Sequence, residues 1–555
     1  MSEQYLGGFI IATPTEPTAT SAPGIWTLNE AATYRKQGLW PTTSGAPTIG
    51  TATAGNASAS VTFSAPSDVG SAPITNYTVI STPSSITGTG ASSPITVSGL
   101  SNGTSYTFKV NAYNGAGTSA YSAASNSVTP VAPPAWLIKY YNAPCPSNTV
   151  TIGVYVDSST NIWLGANNAL GSFYTSFSAS GTAGTQRQIS TFNGDATTGN
   201  KVFTDSSGNF YLAGGTGSTS KGVVKINSSG TVQWAKTQNV SSSAQSTAVN
   251  GITVDSSGNT YAAMSLGQNF CCQNNRFPFL LKLNSSGAFQ FGTIFKSGTS
   301  LLGSNGAMGV VLDSSGNPCV MATTRNVSLS SWVMLAAVKF DTSGSITWQR
   351  FLYGTGSSQS ELGGIGIDSS NNVIIAGQYI SSGVYYALIA KYNSSGTIQW
   401  QRRVTGTTEY NPGLVAVDSS SNIYVTISGN SAAGTHLLKF NSSGTLQWQR
   451  KFSITSSSFS PISMSIDNTN SNVVFSTTSG SFGFTVAYPM DGSKTGSYSV
   501  GGSTVVIAAG ALTESAGNAN DIAGNMTTGG ATLAALNSTF PTTSTVTNTV
   551  AKTDL

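Results

Sequence analysis

Charge is scarce in this chain of 555 residues. Asp, Glu, Lys and Arg together make up 8% of it, against about 25% in ordinary soluble domains. Ser, Thr, Gly and Asn take their place, so hydroxyls and amides solvate the surface. The formal net charge is only +4 and no run of Lys or Arg occurs, which argues against nucleic acid as a partner. No stretch approaches the roughly 18 consecutive apolar residues of a membrane span, so no membrane insertion is expected. The start, Met1 to Leu6, carries no basic cluster, and Phe9 to Ala12 is too short for the apolar core of a signal peptide. Export is therefore not expected. The four cysteines, Cys145, Cys271, Cys272 and Cys319, lack metal-ligand spacing and read as buried free thiols. The single histidine, His436, reads as a structural or exposed residue. Glu361 and Glu409 are nearly the only glutamates between residues 132 and 502, so no carboxylate pair for hydrolysis can be named. The composition thus predicts no metal, no cofactor and no enzymatic activity.

What is present is a repeat. The turn Asp418-Ser-Ser-Ser-Asn422 recurs at Asp157, Asp205, Asp255, Asp313, Asp368 and Asp467, with spacings of 48, 50, 58, 55, 50 and 49 residues. A second turn recurs as Asn227-Ser-Ser-Gly230, Asn284-Ser-Ser-Gly287, Asp341-Thr-Ser-Gly344, Asn393-Ser-Ser-Gly396 and Asn441-Ser-Ser-Gly444. Asp and Asn bond their own backbone in such turns, and Gly supplies positive φ. Short β-rich segments flank both turns, so each repeat makes four antiparallel strands. Seven such units predict a seven-bladed β-propeller over residues 132–502. Lys225, Lys282, Lys339, Lys391 and Lys439 each stand two residues before the second turn, and Trp234, Trp348, Trp400 and Trp448 follow it. The recurring Asp is a turn-former here, because the turn lacks the alternating carboxylates of a calcium loop. Trp136 precedes its Asp by the interval that Trp234 and Trp348 keep. It therefore predicts an outer strand that arrives early and closes the ring with the last blade, although Ser497 to Ser499 could also supply that strand.

With their Asp-x-x-Gly-Asn-x-Tyr turns, these repeats resemble NHL-like and other bacterial β-propeller repeats, a likeness that implies a fold and no particular activity. Residues 45–131 read as a β-sandwich. Leu100 followed by Tyr106 resembles the tyrosine corner of fibronectin type III domains, with Phe63 where that family usually has Trp, and the resemblance implies a spacer. Residues 1–44 read as an arm carrying a helix over 28–37. Thr27 and Glu30 form its capping box, and Gly38 and Pro41 stop it. The order Gly24-Ile-Trp26-Thr-Leu28, Tyr34, Arg35-Lys-Gln-Gly38, Trp40-Pro41 resembles a short motif of tailed-phage virion proteins, cyanophages included. Residues 503–555 read as a low-complexity tail, flexible or bound by a partner.

The resemblance implies an all-β virion protein on the outside of a phage particle, made in the host cytosol. Docking to other virion proteins, of tail or capsid, is expected through Trp26, Tyr34 and Trp40. Host contact is expected at insertions that break the repeat, above all Gly267 to Phe279 with Cys271, Arg276 and Phe277, and then Thr323 to Trp332. A tail fibre or receptor-binding component contacting host surface glycan is the leading expectation. A capsid decoration or head fibre, a propeller enzyme degrading host polysaccharide, and a bacterial adhesin are the alternatives. A trimer is one expected assembly, which the sequence does not specify.

Overall fold

The computed structural model describes residues 27–37, 40–55, 57–130, 136–141, 150–168, 171–179, 187–189, 197–216, 220–239, 248–270, 273–297, 306–326, 332–353, 363–381, 384–405, 411–428, 434–454, 460–479, 482–500, 503–509, 513–516, 520–523, 526–530, 535–537, 543–545 and 549–554, with Thr18 and Gly184 besides. The chain divides into two compact units, Met1–Pro133 and Pro134–Leu555. Among the described residues no helix is long and apolar enough to cross a membrane, which says nothing about a crossing by strands.

In the first unit the helix runs Leu28–Lys36. Its start is the capping box read from the sequence: the Thr27 amide donates to Glu30 Oε2 at 2.9 Å, and the Glu30 amide donates to Thr27 Oγ1 at 3.3 Å. Trp26 and Gly38 lie outside the described residues. The sandwich has a sheet of three strands and a sheet of four. Apolar residues alternate inward along Ser58–Ser64 and Thr107–Asn114, burying Val61, Phe63, Phe108 and Val110. Phe63 packs on Tyr77 with centroids 4.7 Å apart. The Tyr106 hydroxyl accepts the Ser101 amide at 3.1 Å, which closes the tyrosine corner. Pairing continues along a last segment in which every third residue is serine. The amides of Ala112, Val110 and Phe108 donate to the hydroxyls of Ser119, Ser122 and Ser125, each at 3.0 Å.

In the second unit seven antiparallel sheets stand round an axis. Their inner strands, Val150–Val156, Thr197–Thr204, Ala248–Val254, Gly306–Leu312, Gly363–Ile367, Asn411–Val417 and Ser460–Asp467, each abut the next, and the last returns to the first. The ring is therefore a closed seven-bladed propeller, as the repeat predicts. Two serines fasten the closure: the Val156 amide donates to Ser465 Oγ at 3.0 Å, and Ser463 Oγ donates to the Val154 carbonyl at 3.1 Å. The outer strand of the seventh blade is Trp136–Tyr141, which pairs with Phe482–Pro489. Gly496–Val500 instead turns away and pairs with Ser503–Ala509 on the sixth blade. The early strand closes the ring.

The C-terminal residues correct the sequence reading. They are neither a separate domain nor a free tail. Ser503–Ala509, Thr513–Ala516, Asn520–Ala523, Met526–Gly530, Ala535–Asn537, Thr543–Thr545 and Thr549–Asp554 each add a further antiparallel strand, to the sixth, fifth, fourth, third, second, first and seventh blades in turn, outermost on every blade but the sixth, where Gly496–Val500 lies beyond it. The chain thus runs back round the ring against its own order of blades. An outer strand presents a row of unpaired N–H and C=O groups, and this belt pairs them. Ala, Thr, Asn and Gly suffice because backbone atoms make the ladder. That is why hydrophobic patterning gave a sign only of its first strand, at Val505 to Ala508, and none of the others.

Candidate functional site

The recurring polar residues come first, because they would carry any repeated chemistry. In the first turn Oδ1 of the Asp accepts two backbone amides. For Asp418 these are Ser420 at 3.0 Å and Asn422 at 2.8 Å, while Oδ2 accepts the Asn422 side chain at 2.9 Å and the Tyr424 hydroxyl at 3.0 Å. The same pair of amides serves Asp157, Asp205, Asp255, Asp313 and Asp368. Lys339 and Lys391 bond Asp313 and Asp368 at 2.7 and 2.8 Å. Burial alone would push both carboxyls up, but the lysines and the turn donors outweigh it and hold them below the usual carboxylate range.

Lys391 Nζ also donates to the Ser442 carbonyl of the next blade at 3.1 Å, and Trp400 Nε1 donates to that same carbonyl at 3.1 Å. Lys439 and Trp448 share the Met490 carbonyl likewise, at 3.1 and 3.0 Å. The indole lies flat on the next blade's turn glycine: a Cβ on Gly444 would stand 2.7 Å from Trp400 Cδ2. Gly444 also has φ of +79°, so two independent reasons require glycine there. Arg402 covers the outer side of Trp400, 5.4 Å from its ring, and donates to the Gly444 carbonyl. Asp, Lys, Trp, Gly and Arg thus form one latch between neighbouring blades. Among the described residues no group of three or more His, Cys, Asp or Glu could hold a metal ion.

His436 is buried in Thr435–Phe440. Burial, with Lys451 nearby, pulls its pKa down to about 4, so it is neutral at pH 7. Cys319 is a buried free thiol that burial pushes up to about 12. Cys145, Cys271 and Cys272 lie outside the described residues.

The expected binding insertion is not a loop. Thr260–Phe270 and Gln273–Leu283 extend as a single hairpin paired as far as Phe270 and Gln273. Arg276 stands opposite Gly267 in that ladder. Phe277 is buried, 6% exposed, and so is not on a surface as the sequence reading has it. An eleven-residue strand gives it an inward-facing place that a loop would not. Residues 327–331 of the second insertion lie outside the described residues. In the first unit Tyr34 and Trp40 are half-buried, while Thr27, Asn29, Glu30, Ala32, Thr33 and Lys36 are exposed.

The inner strands enclose a central channel of about 830 Å³ that all seven blades line, within the range of small-molecule sites. The residue four before each Asp is Gly153, Lys201, Gly251, Gly309, Gly364, Leu414 or Ser463, and all of these but Gly153 line the channel. Glycine is common there because inner strands crowd: a Cβ on Gly251 would meet Gly309 Cα at 2.8 Å, and one on Gly364 the Val415 amide nitrogen at 2.7 Å. Lys201 departs from that glycine and is, among the described residues, the sole Lys or Arg lining the channel. By surface area it is half-buried, because the channel itself is open to water. Protein nevertheless surrounds it closely enough that desolvation, the sole cause, pulls its pKa to about 8. Its Nζ donates to the carbonyl of Ile462 on the seventh blade at 3.1 Å. The sequence reading missed it. Aligning the seven repeats on their Asp would have found it.

Residues 45–128 match the fibronectin type III domain model, and this part of the chain is such a domain. No curated protein matches the chain. Among solved structures, titin kinase and its flanking domains are similar at 17% identity and a TM-score of 0.15, over 24% of this chain and 30% of that one. The chain thus spans under a third of that structure. Sqt1 of Chaetomium thermophilum is similar at 7% identity and a TM-score of 0.38, over 80% of this chain and 97% of that one. A variant of the NanB sialidase of Streptococcus pneumoniae is similar at 9% identity and a TM-score of 0.35, over 69% and 82%. These structures include an enzyme, but likenesses this remote transfer no activity.

Proposed function

We propose that this chain is a non-enzymatic structural protein on the exterior of a tailed-phage particle, a tail fibre or receptor-binding component. In this reading the N-terminal segment docks to other virion proteins, the fibronectin type III domain acts as a spacer, and the propeller presents its loops to host surface glycan. The observation that carries the proposal is the helix Leu28–Lys36. It is fully specified by its capping box, yet it is too short to stand alone, and most of its described side chains are exposed. Such a helix gains its stability from a partner, and Trp is the residue type most enriched at interface hot spots. The latch supports the non-enzymatic part, because it already employs the repeated Asp, Lys and Arg in holding blades together.

The test is a Trp26→Ala, Trp40→Ala double variant in the phage. It is expected to fold with unchanged melting of both β units and to be absent from purified particles. Incorporation at wild-type copy number would overturn the docking role.

A further inference from the structure

We propose that the propeller channel binds one small oxyanion, a carboxylate or sulfate group on a molecule no larger than a monosaccharide, at the ammonium of Lys201. The inference goes beyond the function proposed above and stands whether or not the chain belongs to a particle.

Three observations carry it. Lys201 occupies a position where four of the seven blades have glycine, one leucine and one serine, so it alone brings a charge there. A charged residue that breaks a structural repeat is a candidate for function. Its ammonium has three donors, and among the described residues it makes one hydrogen bond, to the Ile462 carbonyl. Nor does it form a salt bridge: the pairs among the described residues are Lys339 with Asp313 and Lys391 with Asp368. Its own turn carboxylate, Asp205, lies four residues on, roughly 13 Å away at about 3.3 Å per strand residue, and is bonded within its turn. The carboxylates that line the channel, Asp157 and Asp467, are likewise bonded within their turns, so the half-buried ammonium is only partly solvated and lacks a bonded counter-charge, which is costly. An oxyanion would supply both the counter-charge and acceptors for the remaining donors. The channel has room for a sugar acid as well as for a bare ion.

The experiment titrates the full-length protein by calorimetry with glucuronate, inorganic sulfate and glucose at constant ionic strength and neutral pH. Saturable binding of glucuronate, sulfate or both, with none of glucose, is expected. Preference for glucuronate identifies a sugar acid as the source of the anion, and preference for sulfate identifies the free ion. Lys201→Met should melt no lower than wild type without anion, since it removes an unpaired charge, and should bind about tenfold more weakly or worse. A variant-free measurement accompanies it: the bound anion should protect Lys201, and no other lysine, from acetylation by an amine-reactive ester read by mass spectrometry. Absence of saturable anion binding to wild type, equal binding by Lys201→Met, or acetylation of Lys201 unaffected by anion would each overturn the proposal. A Lys201→Met variant that loses the fold would overturn it too, by assigning the lysine to the scaffold.

Discussion

A chain ending at Ala509 is expected to aggregate. It keeps all seven blades and the first belt strand, including the buried Val505 and Ile507, but loses the outermost strands of six blades. Each lost backbone hydrogen bond is worth about 1 kcal/mol net, and part of that returns as chain entropy. The direct loss of stability is therefore several kcal/mol. The larger consequence is exposure of edge strands, each a template for another chain. Size-exclusion chromatography with light scattering should show soluble aggregate in place of monodisperse protein, together with a lower melting temperature. Monodisperse protein with wild-type melting would mean that the belt contributes nothing to the ring. A chain ending at Val500 should behave worse, because it also removes Val505 and Ile507 from the core of the sixth blade.

Lys391→Met is expected to cost about 3 kcal/mol, the low end for breaking a buried ion pair. The side chains of Lys391 and Asp368 are 7% and 2% exposed, and the variant leaves the carboxylate buried with only its turn donors. It also removes the bond to Ser442 that helps hold the next blade. Asp368→Asn added to Lys391→Met should recover part of the loss, and the double-mutant cycle in urea gives the coupling.

The same pair sets an acid limit. Asp368 has its folded pKa below the reference value of 3.8. Its stabilising contribution is therefore complete above that value and is lost as the pH falls through the folded pKa. In Lys391→Met burial is no longer outweighed by the lysine, so the loss should begin at higher pH. A pH profile of the unfolding midpoint that superimposes on wild type would contradict this account.

Much of the fold was legible because it is written in turns. Asp418 and Asn422, or Asn441 and Gly444, specify a chain reversal locally, and local rules repeated seven times give a count of blades. Trp136 pointed to an early closing strand through its interval from Asp157, and only the pairing with Phe482–Pro489 decided between it and Ser497 to Ser499. The belt was illegible for the opposite reason. Its ladder is made by backbone atoms, and residues such as Thr513–Ala516 carry no periodic apolar face. Phe277 was misplaced because an extended hairpin and a loop look alike when both interrupt a repeat. The Asp, Lys, Trp and Gly of the latch were recognised as recurrent, but their joint action across blades needed coordinates, since Trp400 and Ser442 are 42 positions apart. Lys201 was visible only as an exception to a column of glycines.

The closing strand also decides how the molecule bears force. The linker from the fibronectin type III domain enters the propeller at Trp136–Tyr141, so tension applied through the N-terminal arm arrives there. That strand is gripped on both edges, by Phe482–Pro489 on one side and by Thr549–Asp554 on the other. A pull along its axis must shear two ladders at once, where a strand at the rim of a sheet would peel from one. The last residues of the chain thereby clamp the point through which load enters. In single-molecule pulling from the N-terminus, removing Thr549–Asp554 should lower the rupture force of the propeller and leave that of the fibronectin type III domain unchanged.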